Sequence, residues 1–179
     1  MNDLTLADRP GLPEALRVLV AEFPRTGWQT HPNFGGMVEF WLQRHLMFRQ
    51  LTDLLTSDAE RLAAHALARP EYDRRLAHYA GTLLNELHGH HRIEDQHYFP
   101  RLVGIDRRVE RGFDLLESDH AEMDGLLHGM AAQANAVLQG GEAGPFADAA
   151  RGFGHMLDRH LTDEEDIIVP VILKSGFAG

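Results

Sequence analysis

Apolar residues recur at steps of three and four along four long stretches of this chain, and this periodicity is the strongest constraint on its fold. Such a pattern places the apolar residues on one face of an α-helix. The stretches cover about residues 36–55, 72–99, 107–138 and 145–173. No segment alternates apolar and polar residues as a half-buried β-strand would. Four long amphipathic helices with short connections predict an all-α fold, an antiparallel up-down four-helix bundle.

Prolines, glycines and capping residues mark where these helices begin and end. The glycine pair at 140–141 stops the third helix, and Pro145 suits the first turn of the fourth. Between the first and second helices, Ser57 or Asp58 can cap a separate short helix that ends before Pro70. We therefore expect one minor helix in addition to the four long ones.

The N-terminal region lacks a long amphipathic stretch. Residues 1–34 predict a cap or a short helix, and residues 35–175 predict the bundle. A chain of 179 residues has the length of a single domain, so both parts belong to one unit. The first thirteen residues are charged and contain no apolar core, which is unlike a signal peptide.

The composition excludes several classes of function. Because 27 acidic residues oppose 17 basic ones, the net charge of -10 repels phosphate backbones and anionic lipids, and we expect neither a nucleic-acid nor a membrane partner. The chain has no cysteine, which excludes thiolate metal sites, cysteine-ligated iron–sulfur clusters and thiol catalysis. The most apolar run, residues 167–173, is too short to cross a bilayer. These features predict a cytoplasmic protein.

The chain contains an internal repeat built on histidine and glutamate. In the second helix, His90 is followed four residues later by Glu94. In the fourth helix, His160 is followed four residues later by Glu164, and in both helices a proline lies ten residues after the histidine. Residues four apart on a helix are neighbours about 5–6 Å apart, so each pair can reach one point inside the bundle.

The other two long helices each carry a histidine on the apolar face, His45 in the first and His120 in the third. Four imidazoles and two carboxylates exceed what a single tetrahedral zinc requires. They suit two ions at the usual dinuclear separation of about 3.5–4 Å. Imidazole and carboxylate without thiolate favour iron or manganese, with zinc as a further choice. Coordination would also offset the cost of burying ionised glutamates.

These residues resemble the hemerythrin-like family, also called the HHE cation-binding domain. The resemblance covers about residues 35–173 and rests on the two repeated motifs, on His45 and on the Ser118-Asp119-His120 segment. It implies an up-down four-helix bundle with two iron ions in a non-haem, carboxylate-bridged and often oxo-bridged centre, with manganese or zinc as less favoured metals. It also implies the following metal ligands: His45, His90, Glu94, His120, His160 and Glu164.

Asp124 is a departure from this family. Oxygen-carrying hemerythrins have a second histidine four residues after the third-helix histidine, and here that position is Asp124. The carboxylate could be an additional ligand, accept a hydrogen bond near the site, or simply be polar. The departure argues against plain reversible oxygen carriage, and the absence of cysteine argues against the iron–sulfur repair role of some members.

His97 lies seven residues after His90 and three after Glu94, so a regular helix would place it on their face one turn further along. There it would orient Glu94 or a bound ligand from outside the metal site, or form a hydrogen bond to solvent at the end of the bundle. The remaining histidines have no clear place on the inner faces, and we predict them at the surface or partly buried: His31, His65, His78, His88, His91, His128 and His155.

Two classes of function follow from this predicted site. The first is a di-iron protein that binds or reduces a small oxidant such as dioxygen, peroxide or nitric oxide, with turnover of peroxide or nitric oxide as its enzymatic form. The second is an iron store or a metal-responsive interaction module, in which the metal stabilises the bundle. A helical bundle whose histidines bind no metal is the remaining alternative. The sequence identifies neither catalytic residues nor a reductase partner.

Overall fold

The computed structural model describes residues 5–179, and within this range all regular secondary structure is helical, with no β-strand. The first four residues of the predicted N-terminal cap lie outside the described residues. Within residues 5–179, no helix combines the length and the apolar character needed to cross a lipid bilayer. The described part of the chain forms six α-helices: α1 Val18–Glu22, α2 Gly36–Ala63, α3 Arg69–Ile93, α4 Phe99–Leu102, α5 Glu110–Leu138 and α6 Gly144–Ser175.

The four long helices pack in a closed ring. Helix α2 contacts α3 and α6, and α5 contacts the same two helices from the other side. Because each long helix turns its apolar face toward the ring interior, the structure confirms a helical bundle. The predicted second helix runs from α3 through α4, and the predicted third helix begins with a 3₁₀ turn at Arg107–Val109.

A polar layer divides the core into two apolar clusters. One cluster includes Phe48, Leu87 and Leu161, and the other includes Trp41 and Phe113, as well as Ile168. The histidines and glutamates of the predicted ligand set lie in this polar layer, on the four long helices and in the turn that follows α3. Since water is excluded above and below this layer, its polar groups must satisfy one another or bind something from outside.

The predicted break in the first long helix was wrong, because α2 continues without interruption to Ala63. Asp58 does not cap a new helix. Its carboxylate is buried and accepts hydrogen bonds from Arg75 of α3, at 2.6 Å from Nε and 3.0 Å from Nη2. A side chain used in this way cannot also bind the backbone N–H groups of a helix start.

The two prolines of the internal repeat have different surroundings. Pro100 follows a π-helical turn at Glu94–Tyr98 and lies in the first turn of α4. Pro170 lies inside α6, which stays α-helical on both sides. A proline removes one backbone hydrogen bond and its ring clashes with the preceding turn, and a wider π turn is one way to accommodate this. The sequence pattern predicted a regular helix here and missed the π turn.

The N-terminal region lies against the bundle. It contains a 3₁₀ turn at Glu14–Leu16, helix α1 and a second 3₁₀ turn at Arg25–Thr30, and α1 contacts α6. Its larger apolar side chains, Leu16, Leu19 and Trp28, are buried in the apolar cluster that contains Trp41. Burial of this apolar area holds the region in place.

Asp106 joins the turn before α5 to the end of α6. Its buried carboxylate accepts hydrogen bonds from the backbone and side chain of Arg108 and from Lys174. We expect Asp106→Asn to lower the free energy of unfolding by about 1–2 kcal/mol, because these charge-assisted bonds are lost. Urea denaturation of the metal-free protein at neutral pH measures this change.

The matched control is Asp148→Asn, whose exposed carboxylate contacts Arg151 and should contribute less than about 0.5 kcal/mol. Hydrogen bonds from Arg108 and Lys174 lower the pKa of Asp106. Its contribution is therefore present above the unfolded carboxyl pKa of about 4 and is lost as the pH falls below it. Equal losses for the two variants would contradict this account of Asp106.

Candidate metal centre

Seven side chains from the four long helices and the π turn form two adjacent groups in the polar layer. The His45 cluster consists of His45, His90, Glu94 and Glu164, and the His91 cluster consists of His91, His120 and His160. Within each group the potential ligand atoms lie within 4.8 Å of one another. The two clusters therefore contain all six residues that the family resemblance implies as ligands. They also contain His91, which the resemblance did not imply.

The two glutamates connect the clusters. Glu94 Oε1 lies 2.8 Å from Nε2 of His90 in one cluster, and Glu94 Oε2 lies 3.6 Å from Nε2 of His120 in the other. Glu164 has the same arrangement, with its two oxygens at 3.3 and 3.4 Å from the Nε2 atoms of His45 and His160. A carboxylate that presents one oxygen to each of two clusters has the orientation needed to bridge two ions.

The hydrogen bonding of the polar layer is incomplete in a way that fits a metal site. Among the described residues, eight buried side-chain nitrogen or oxygen atoms have no hydrogen-bond partner, and six of them belong to the two clusters. These six are Nε2 of His91, His120 and His160, both oxygens of Glu94, and Oε2 of Glu164. Unpartnered buried polar atoms are costly and rare. Nitrogen and oxygen donors without sulfur suit iron, manganese or zinc.

In three cluster histidines, a carboxylate oxygen forms a hydrogen bond with Nδ1, the ring nitrogen that faces away from the cluster. A carboxylate that accepts the Nδ1 proton fixes the tautomer and the ring orientation, so that the Nε2 lone pair points toward the interior. The contacts are His45 with Glu165 at 3.0 Å, His120 with Asp95 at 2.7 Å, and His160 with Asp119 at 3.2 Å. This is the usual arrangement of histidines that bind metals.

Sequence reasoning missed these three outer carboxylates, although a signal was present. Each one is the immediate neighbour in sequence of a cluster residue, as in Glu94-Asp95, Asp119-His120 and Glu164-Glu165. A second acidic residue beside a ligand can reach around the helix to the back of a neighbouring imidazole. Arg49 reinforces one of them, since its Nη1 donates to Glu165 at 2.7 Å.

The prediction that His91 lies at the surface or is partly buried was wrong. His91 is 5 % exposed, and its ring stacks on that of His120 with centroids 4.0 Å apart. Consecutive helical positions differ by about 100°, which would turn His91 away from a single central point. The polar layer has two clusters side by side, so His90 faces one and His91 faces the other. The adjacent histidine pair was the signal in the sequence.

The two additional residues proposed near the site, Asp124 and His97, are not part of it. The Asp124 side chain is 46 % exposed and contacts the exposed His88 at 3.1 Å. The buried face of α5 continues from His120 through Met123, so position 124 falls outside it.

His97 is exposed as well, and it lies in neither cluster. Because the π turn at Glu94–Tyr98 has more residues per turn than an α-helix, three residues no longer bring the chain back to the face of Glu94. Of the two roles predicted for His97, its position agrees with the one in which the side chain contacts solvent.

Without metal, the cluster residues have strongly shifted pKa values. Burial lowers the pKa of His90 to about 3. Burial also acts to lower the pKa of His160, but the Asp119 and Glu164 carboxylates overcome it and raise the pKa to about 9. Burial and the charge of Glu164 raise the pKa of Glu94. The metal-free site therefore retains protons where a metal would bind.

The raised pKa of His160 predicts that metal binding depends on pH. A metal binds the neutral imidazole and must displace the proton that His160 carries below pH of about 9. The apparent metal affinity should therefore rise at least about tenfold per pH unit up to that pH and then level off. Competition titrations with a chromophoric chelator between pH 6 and 10 measure this dependence.

Asp119→Asn removes a carboxylate that raises the pKa of His160, so the apparent affinity should level off at lower pH than in the wild type. The same variant should weaken metal binding about 10- to 100-fold at its optimum, because the imidazole loses its orienting partner. Asp114→Asn, an exposed carboxylate on the same helix, is the matched control. A pH dependence that is identical in both variants would exclude this role for Asp119.

Comparison with known proteins agrees with this geometry. No curated protein and no solved structure matches the chain. The sequence model of the hemerythrin HHE cation-binding domain matches residues 36–172, a span that runs from the first residue of α2 to near the end of α6 and includes all seven cluster residues. The match covers well over half of the chain, and this chain therefore belongs to the hemerythrin HHE cation-binding family.

Proposed function

We propose that the chain holds two iron ions in the His45 and His91 clusters and that it binds or reduces a small oxidant there: dioxygen, peroxide or nitric oxide. The observation that carries this proposal is the set of six buried, unpartnered nitrogen and oxygen atoms in the polar layer. Iron bound by these atoms would supply the electrons and an open coordination position for the oxidant.

The proposed ligand set extends the one implied by the family resemblance. His45 and His90 would hold one ion, Glu94 and Glu164 could contact both ions, and the other ion would be held by the histidines of the second cluster: His91, His120 and His160. The imidazoles thus divide unequally, two on one side and three on the other. The side with fewer imidazoles has more room for an external ligand.

A pocket supports the entrance of a small, uncharged oxidant on that side. It has a volume of about 430 Å³ and lies between α2 and α3. His90 and Glu94 line its inner end, and aromatic and apolar side chains, among them Phe40, Trp41, Ile93 and Tyr98, line the remainder together with the polar Arg44, Asn85 and Glu86. The apolar part of the wall disfavours water and ions more than it disfavours dioxygen or nitric oxide.

Trp41 has a further role at the inner end of this pocket. Its indole N–H donates to Oε1 of Glu164. This bond holds the shared carboxylate in one orientation and occupies one of its lone pairs, which limits how far Glu164 can move when an oxidant binds. The tryptophan therefore links the wall of the pocket to the ligand set.

The proposal includes an antiparallel up-down order of the helices within residues 35–175, capped by residues 1–34. Five residues connect α2 to α3, and five connect α5 to α6. Connections of this length favour antiparallel neighbours.

A second function, an iron store or a metal-responsive module, is favoured by the position of the polar layer. Each of the four long helices and the π turn contributes to the clusters, and the layer separates the two halves of the core. Metal binding would therefore stabilise the whole bundle and could alter its contacts with a partner protein without any turnover.

Metal content and absorption spectra of untagged protein test the proposal. We expect about two iron ions per chain, and a spectral change when the reduced protein is mixed rapidly with dioxygen, peroxide or nitric oxide. Two bound ions, a large metal-dependent increase in melting temperature and no spectral change with any oxidant would favour the storage or signalling function instead. Less than about half an equivalent of any transition metal would contradict both functions.

His91→Gln tests the unequal ligand set. Loss of one of three imidazoles should reduce bound iron from about two ions to about one per chain, since the His45 cluster keeps all its residues. The control is His128→Gln, an exposed histidine of α5, which should bind as much iron as the wild type. Full iron content in His91→Gln would remove His91 from the proposed ligands.

A further inference from the structure

We propose that the N-terminal region preceding α2 is part of the metal centre, and that Arg9 and Arg25 are positioning residues that hold the carboxylates behind His160 and His45. This inference rests on the proposed iron site. Both arginines lie outside residues 36–172, the span matched by the family. They are therefore a feature of this chain in addition to the domain that it shares with the family.

Arg9 binds the carboxylate that orients His160. The arginine is 5 % exposed, and its two terminal nitrogens donate to the two oxygens of Asp119. Oδ2 of Asp119 is also the atom that contacts Nδ1 of His160, at 3.2 Å. A bidentate guanidinium–carboxylate pair fixes the plane of the carboxylate, and here this plane decides where the imidazole points.

The same guanidinium extends this arrangement to α6. Its Nε donates to Oδ2 of Asp163 at 2.9 Å, and Oδ1 of Asp163 accepts a hydrogen bond from Arg159 at 2.7 Å. Arg159 in turn donates to the backbone carbonyl of Pro10 at 3.1 Å. Arg9 is thus held by α5, by α6 and by its own neighbour, with little freedom to move away from Asp119.

Arg25 has the corresponding position behind the other cluster. Its Nη1 donates to Oε2 of Glu165 at 2.7 Å, and the other oxygen of Glu165 contacts Nδ1 of His45 at 3.0 Å. Arg25 also donates to Asp166 at 2.7 Å and to the carbonyl of Thr162 at 3.0 Å. Each arginine therefore lies one carboxylate away from a cluster histidine.

Apolar contacts also attach the region to the bundle, since Leu16, Leu19 and Trp28 are buried in the apolar core. The arginines also compensate the negative charge of Asp119 and Glu165, the carboxylates that contact the imidazoles. Without Arg9, Asp119 would lose two hydrogen bonds and its buried countercharge, and it would pull more strongly on the Nδ1 proton of His160. The imidazole would become a stronger donor to iron and would favour the ferric state.

The experiment compares Arg9→Gln and Arg25→Gln with Arg17→Gln, which removes the same charge from an exposed position of the same region. We measure the ferrous dissociation constant and the midpoint potential of the iron centre in the full chain, together with the melting temperature of the metal-free protein. Arg9→Gln should weaken ferrous binding about tenfold, because the plane of Asp119 and hence the orientation of His160 are no longer fixed. The more strongly donating imidazole should at the same time lower the midpoint potential. Arg25→Gln should show smaller changes in the same direction, since Arg49 also holds Glu165. Arg17→Gln should match the wild type.

Arg9→Lys separates positioning from a purely structural role. Lysine keeps the positive charge but cannot bind both oxygens of Asp119 in one plane. It should restore most of the midpoint potential and only part of the affinity. If Arg9 had only a structural role, its substitution would lower the melting temperature of the metal-free protein. The midpoint potential of the folded, iron-loaded variants would then equal that of the wild type.

The outcomes distinguish this inference from the proposed function. If the wild type binds iron and both glutamine variants match Arg17→Gln in affinity and potential, the inference is wrong and the proposed function stands. If the wild type binds no iron, the proposed function fails and the inference fails with it. If Arg9→Gln does not fold, the partly exposed Arg25 decides, and agreement of Arg25→Gln with Arg17→Gln then refutes the inference.

Discussion

The bond between a carboxylate and the outer nitrogen of an imidazole is the interaction on which the site depends. It occurs three times, at His45, His120 and His160, and each time it directs Nε2 into the buried polar layer. The apolar clusters above and below make this layer unfavourable for unpaired polar groups. Burial and ring orientation thus act together: the same packing that gives the bundle its core also leaves a set of unpartnered nitrogen and oxygen atoms that could bind a metal ion.

Much of the bundle and of the site could be predicted from the sequence, because both depend on helical spacing. Steps of three and four residues gave the buried faces, and the four-residue spacing of His90 and Glu94 brought both to one side. The prediction failed where a local interaction overrides regular geometry. Asp58 binds Arg75 and so does not start a helix, and the π turn moves His97 into solvent. His91 was missed because a single central point was assumed where the structure has two clusters.

The charge of the chain as a whole differs from the charge near the polar layer. The chain as a whole is acidic, with a net charge of -10, yet several arginines are used near the polar layer. Arg9 is buried between Asp119 and Asp163, and Arg49 shares Glu165 with Arg25. Sequence periodicity could not identify these contacts, since they join residues more than a hundred positions apart. They place guanidinium groups behind the acidic residues that face the imidazoles.

The π turn has a consequence for how this chain can vary in length. It contains one residue more than a regular turn would, and the wider turn takes up that residue, so the buried positions Glu94 and Phe99 are five residues apart yet lie on one face. Five residues of a π turn cover about the same angle as four of an α-helix, so deleting one exposed residue such as Gln96 would allow a continuous α-helix with Phe99 and Leu102 still in the core. Inserting a further residue would instead rotate both side chains by about 100°, away from the core. This part of the chain can therefore become one residue shorter more readily than one residue longer.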